Sequence, residues 1–299
     1  MKGQAVIILG IFVIGAVALT EFIYLSSMIQ KTQPIVQIVR ETEIIRGINR
    51  LEFAKQYLLK SALYSYYQAS YDVANRGGFS DLSTNSYNCI PYWKIYSQDN
   101  SPDLQTNMKN FISAVFTKYI TTANFEDVTI PTFFTVDISN HQTLTINSDS
   151  TLQVGSQDFY TAEELFSFSQ PVDGRIFELF SIAQNVDDAV TALQKVVVLY
   201  PDLQNQPGSK LNLLQNTLND VLYASQNVQI NFQSENLGPN DFNYSARILV
   251  TITDTSAQYP AYDFTTKSLA ERNLNFQFYM LLGNANVPAP TNSCENINY

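Results

Sequence analysis

MKGQAVIILGIFVIGAVALTEFIYLSSMI, residues 1–29, decides how the rest of the chain is read. Ala5 to Thr20 carries no charge, Glu21 is the one acid, and apolar character resumes at Phe22-Ile23-Tyr24-Leu25 before fading through Ser26, Ser27 and Met28 to Ile29. At ~1.5 Å per residue, residues 5–29 make a helix of ~37 Å, enough to cross a hydrocarbon core of ~30 Å with some tilt. The run therefore predicts a transmembrane helix, with the lipid bilayer as its partner through residues 5–29. A carboxylate at the bilayer centre costs ~2.5–3.5 kcal/mol. Glu21 lies toward the distal end, where snorkelling or protonation accommodates it; a helix–helix contact in an assembly is the sharper reading.

Three fates are open to this segment. It is an uncleaved anchor, or a secretory signal cut after Ala16-Val17-Ala18, or a signal cut between Gly3 and Gln4 that leaves the apolar helix on the mature chain. Apolar character continues a turn or two past Ala18, which a released signal does not need. Lys2-Gly3-Gln4 followed directly by the run resembles the class III signal of archaeal pilin-like proteins. That family carries an acid at the fifth mature position; here the residue is Ile8. Lys2 and the amino terminus before the span are balanced by Lys31 and Arg40 after it, so charge codes orientation weakly. Signal type, cysteines and composition together predict a single-pass cell-membrane protein with its C-terminal domain outside the cytoplasm.

With 299 residues, the chain holds the span plus one large or two small globular domains. Hydrophobic residues make up 45% and charged residues only 15%, against roughly 25% charged in soluble domains. Ser, Thr, Asn, Gln and 18 tyrosines supply the polarity. A net charge of −10 leaves no basic surface to neutralise phosphates, so nucleic acid is excluded as a partner. Cys89 and Cys294 suit one disulfide in an oxidising compartment. Closing a loop of about 200 residues would contribute at most ~5 kcal/mol on the chain-entropy account. Asn243-Tyr244-Ser245 is a glycosylation sequon at Asn243.

Past the span, Pro34 is expected to kink the helix or start a new one. From Ile35 to about Asn75 apolar residues recur at helical spacing (Ile38, Ile45, Ile48, Leu51, Ala54, Leu58, Ala62, Ala69), with Arg40, Glu43, Arg46, Arg50, Glu52 and Lys55 on a wetter face. This second, amphipathic helix is a stalk or a docking helix, ended by Gly77-Gly78. Its tyrosines (Tyr64, Tyr66, Tyr67, Tyr71) favour docking of the last third. Residues 80–101 read as irregular, with Cys89, Pro91 and the single Trp93. Helices are predicted over 102–122, 175–200 and 210–224. Strands are predicted over 128–138, 143–147, 151–154, 228–233, 244–253 and 273–282. Strands segregated from helices give an α+β fold with antiparallel strands. The division expected is 1–33 anchor, 34–79 long helix and 80–299 extracytoplasmic α+β domain. Helix-then-meander occurs twice, so the last part is either two halves (80–170 and 171–299) or one composite domain.

This combination resembles a group of single-span archaeal surface proteins of unknown function. The residues that carry the resemblance are Lys2-Gly3-Gln4, Ala62-Leu63-Tyr64 leading to Gly77-Gly78-Phe79, Val172-Asp173-Gly174-Arg175-Ile176-Phe177, and Thr251-Ile252-Thr253-Asp254 with Tyr259-Pro260-Ala261-Tyr262-Asp263. What the resemblance implies is location and architecture, with no chemistry attached.

Reaction chemistry is poorly supported by the residues. His141, the only histidine, falls in an expected β-turn without a nucleophile elbow nearby. One histidine and two distant cysteines do not make a zinc site. Asn147, Asp149, Thr151 and Asp158 match calcium-loop spacing loosely, but Leu152 stands where the loop needs glycine. Asp187-Asp188 sits on a helix, where a solvated face is expected. Gly77-Gly78 lacks the spacing of a phosphate loop. No catalytic, cofactor or metal residues are therefore nominated. The function expected is a non-enzymatic structural, adhesion or pilin-like assembly role, by self-association or with other envelope proteins. A single-span ligand-binding receptor is the alternative, and an envelope hydrolase with spatially paired acids comes third.

Overall fold

The computed structural model describes residues 2–81, 86–125, 127–156, 160–199, 212, 214–219, 227–236, 245–263 and 268–283; within these, the side chains of residues 2–18, 25, 29–38 and 193–199, among others, lie outside the description. The fold is α+β with largely antiparallel sheets. Helix α1 runs from Lys2 to Asn75. It continues through Pro34, so the new helix start, one of the two outcomes expected there, does not occur. Proline removes one backbone bond, and the ladder can resume on either side of it. Among the described residues no helix is long and apolar enough to cross a membrane. The side chains of the run Ala5–Ala18 are outside that statement.

Two compact units share the chain. The first comprises Met1–Lys55, Phe125–Ile130 and Leu152–Glu164. Here Val128–Thr129 (β4) pairs with Val154 and Gln153 of Thr143–Ser156 (β6). Leu51, Ala54, Leu152 and Val154 are buried, Phe53 meets Phe125 edge-on at 6.5 Å, and Arg50 pairs with Asp127. Lys55 holds Glu164 at 2.9 Å and Glu52 at 3.2 Å. Ile45 and Ile48, expected on the buried stripe of the helix, are 59% and 48% exposed. Ile38 lies outside the described side chains, and among those described the buried apolar stripe starts at Leu51.

The second unit comprises Gln56–Asn124, Pro131–Thr151 and Leu165–Tyr299. Its main sheet holds Ser86–Tyr87 (β1), Ile90–Ile95 (β2), Gln98–Asp99 (β3), Val228–Asn236 (β8), Ser245–Asp263 (β9) and Ser268–Gly283 (β10), in the order β1-β2-β10-β9-β8 with β3 beside β2. The pairing of β2 with β10 is parallel, a departure from the all-antiparallel expectation. It also merges residues 86–99 into the sheet of the C-terminal region, so 80–170 and 171–299 are not separate halves. Residues 80–101, expected to be irregular, thus supply three strands. Pro91 cannot donate to a ladder, which obscures a strand here in the sequence.

Trp93 explains why β2 sits there. Its ring stacks on Phe278 of β10 at 4.2 Å and meets Phe276 edge-on at 5.7 Å. On another side it meets Phe180 of helix α3 (Arg175–Leu199) at 5.4 Å, and its Nε1–H donates to the Gly77 carbonyl at 2.7 Å. One buried indole therefore joins the sheet, the end of α1 and α3, with its only polar atom satisfied. On α1, Leu58, Ala62, Tyr66, Ala69 and Val73 form the buried face. Gly77 and Gly78 end the helix at φ +54 and +91, with Gly78 N donating to Val73 O and Gly77 N to Ala74 O, the Schellman arrangement.

The rest of this unit is a smaller sheet against helix α2, Leu104–Thr122. Phe134–Ser139 (β5) pairs with residues 143–148 of β6, and Tyr160–Pro171 (β7) also pairs with β6. β6 is one continuous strand where two were expected, and β7 was not expected. Leu144, Ile146, Phe166 and Phe168 are buried, and Phe116 of α2 meets Phe134 edge-on at 5.1 Å. Around the edge strand β8, side-chain amides replace a missing neighbour: Asn219 bonds both the N–H and the C=O of Ile230, and Gln215 accepts from Phe232 N. Of the helix expected over 210–224, residues 214–219 are described and helical.

Candidate functional site

A partly buried polar network fixes the start of α3. Asp173 Oδ1 accepts from Arg175 N at 2.8 Å, and its Oδ2 accepts from the Tyr259 hydroxyl at 2.7 Å. The Tyr66 hydroxyl of α1 donates to the Asp173 carbonyl. Arg175 Nε donates to Asp254 Oδ2 at 2.7 Å and its Nη1 to Glu178 at 2.6 Å. Asp254 is fully buried and also accepts from the Ser256 N–H and hydroxyl at 2.8 and 2.7 Å. Burial alone would raise the Asp254 pKa; the Arg175 guanidinium and the two Ser256 donors outweigh it and hold the carboxyl below its ordinary range. Burial, then the bond to Asp173, pushes the Tyr259 phenol up. Gln68 of α1 completes the tie, accepting from Tyr262 N at 2.8 Å and donating to Tyr262 O at 3.0 Å.

Asp173, Arg175, Asp254, Tyr259 and Tyr262 belong to motifs that stand out in the sequence, Val172–Phe177, Thr251–Asp254 and Tyr259–Asp263, whereas Tyr66, Gln68, Glu178 and Ser256 do not. The work of the network is to hold α1, β9 and the first turn of α3 together.

The clamp has a consequence on the opposite side of that turn. Asn140 and His141 link β5 to β6 at φ 50 and 61, with Gln142 N donating to Ser139 O at 3.1 Å, the left-handed turn that fits strand twist. Val172 N donates to Gln142 O at 2.8 Å. Gly174 approaches so closely that a Cβ there would lie 2.6 Å from the His141 carbonyl. The His141 ring then stacks on Phe177, centroids 4.3 Å apart and planes 6° apart.

Between this turn, the start of α2 and the first turns of α3 lies an open pocket of about 590 Å³. Pro102, Asp103 and Gln105 line one side, Asn140, His141 and Gln142 the second, and Phe177, Glu178, Phe180, Ser181 and Gln184 the third. Asp103 caps α2, accepting from Thr106 N at 3.2 Å and Thr106 Oγ1 at 2.7 Å, and the hydroxyl bond above all holds its carboxyl low. Glu178 is taken by Arg175. Among the described residues the pocket is lined by no lysine or arginine.

The other nominated residues lie elsewhere. Gly3 and Gln4 fall within the span of α1, their side chains outside the description. Cys89 is disulfide-bonded and sits in the left-handed turn between β1 and β2 at φ 61; Cys294 lies outside the described residues, as does Asn243. Asn147, Asp149 and Thr151 alternate along β6, on a strand where a cation loop would need a turn, and Asp158 lies outside the described residues. Among the described residues no group of three or more His, Cys, Asp or Glu could hold a metal ion.

Asp187 is corrected most clearly. Instead of a solvated face it occupies a buried position, 3.6 Å from Lys94, with burial raising its pKa and Lys94 opposing that. The pocket amides Asn140, Gln142 and Gln184 belong to no motif, so the sequence offered no sign that they converge. No family model, curated protein or solved structure matches the chain.

Proposed function

We propose that this chain is a membrane-anchored cell-surface protein, held by residues 5–29, whose α+β body serves a non-enzymatic structural, adhesion or pilin-like assembly role outside the cytoplasm. The observation that carries the reading is the exposure of α1 at the end of the uncharged run and just past it: Leu19, Phe22, Ile23 and Tyr24 are 63%, 72%, 56% and 60% exposed. Consecutive helical residues point about 100° apart, so no single face could hide them. In water such surface costs ~25 cal/mol per Å², a penalty that hydrocarbon removes. Val39, Ile44, Ile45 and Ile48 extend the exposed apolar surface along the helix, which supports contact with further copies or with other envelope proteins.

Alkaline extraction of native membranes followed by terminal sequencing tests this. The expected result is a chain retained with lipid and starting at Gln4. A retained chain starting at Met1 would keep the anchor and remove the pilin-like version. A soluble chain starting at Leu19 would overturn the anchor. The pocket favours a second reading, a surface receptor that captures a small ligand, since a preformed concavity with convergent polar groups is what such sites share.

A further inference from the structure

We propose that the pocket between α2, the β5–β6 turn and α3 binds a neutral, hydroxyl-rich ligand, a short saccharide chain; this rests on the receptor reading of the pocket and is independent of the anchor. Its volume of about 590 Å³ falls within the ~300–1,000 Å³ of small-ligand sites. The exposed His141 ring, stacked flat on the buried Phe177, offers aromatic surface of the kind that takes the C–H face of a sugar ring, and Phe180 also lines the pocket. Sugar hydroxyls both donate and accept, and so do amides and serine.

Asn140, Gln142, Ser181 and Gln184 are exposed, line the pocket from two elements, and have side chains that make no bond among the described residues. A ligand can therefore bond them without first breaking an internal contact.

Charge narrows the class further. An anionic ligand finds no basic side chain among the described lining residues, and Asp103 and Glu178 repel it. A cation finds both carboxylates engaged, by Thr106 and by Arg175. The turn is held before any ligand arrives, by the Val172–Gln142 bond and the Gly174–His141 approach, so little ordering cost remains at binding.

Saturation-transfer NMR on the full chain in lipid nanodiscs tests the proposal. The probes are cellotetraose, chitotetraose and mannotetraose, with tetragalacturonate as the acidic control and glycinamide and neutral amino acids as non-sugar controls. Transfer to at least one neutral oligomer is expected, weakened at least tenfold in Gln142→Ala/Gln184→Ala and absent for tetragalacturonate. Both substituted residues are exposed, so an unchanged unfolding curve separates lost binding from lost fold. Neutral-oligomer binding that survives the double substitution, or equal binding of the acidic oligomer, overturns the proposal. Transfer to the non-sugar controls alone, abolished by the double substitution, overturns the saccharide and leaves a receptor for another ligand. No transfer to any probe overturns both.

Discussion

Asp254 shows most directly how a buried charge is kept. Its carboxylate is paired with Arg175 and bonded by Ser256. Asp254→Asn is expected to destabilise the fold by ~3 kcal/mol, because it removes the buried anion from the largely buried Arg175 and leaves it only the exposed Glu178. The sign of the pH effect follows from the lowered native pKa. Stabilisation is complete above the unfolded Asp value of about 3.9 and is lost as pH falls through the lower native value. Urea midpoints at pH 7 and pH 3 should therefore converge in the variant more than in the parent; an undiminished acid limb would refute the assignment. Asp187 acts in the opposite sense. Its raised native pKa lets the folded state take the proton first, so its contribution weakens as pH rises through the carboxylate range. An aspartate pair on a helix looked solvated in sequence, since nothing local reveals that Lys94 faces it from β2.

At the scale of elements, the end of α1 is the most constrained point described. Gly77 holds φ +54, and a Cβ there would lie 2.5 Å from the Gln277 carbonyl of β10. Gly77→Ala therefore meets both a strained backbone and a backbone clash, and a loss of ~2–3 kcal/mol is expected. Trp93 is the only tryptophan and donates to the Gly77 carbonyl, so its emission should shift red in the same variant. Normal stability with unchanged emission would show that the turn can move aside. The sequence marks this stop well, because Gly-Gly after a helical stripe is a local signal. Strands β1–β3 were hidden by contrast, since Pro91 argues against a ladder and the indole's partners lie on distant segments. In β7 the buried Phe166 and Phe168 alternate with serines, a pattern that the acids of Glu163-Glu164 interrupt.

On the scale of the whole chain, the disulfide at Cys89 ties the β1–β2 turn to a distant point. We propose Cys294 as the partner, it being the only other cysteine in the chain. Cys89→Ser and Cys294→Ser should then lower stability equally, by up to ~5 kcal/mol, and reductant should have no further effect on either. Unequal losses would sink the pairing.

What the sequence determined by itself is set by neighbours a few residues away. The uncharged run of residues 5–20, the glycine stop of α1, the turn at His141 and the presence of strands at β8 to β10 all belong to that class, as does the α+β arrangement they imply. What only the tertiary structure decided depends on which distant surfaces exclude water together. The parallel pairing of β2 with β10 follows from burying Trp93 between Phe278 and Phe180. The buried Arg175–Asp254 pair and the pocket beside His141 follow from α3 docking where Asp173 and Gly174 allow it. Periodicity records which face of an element is apolar, and only packing selects the partner that covers it.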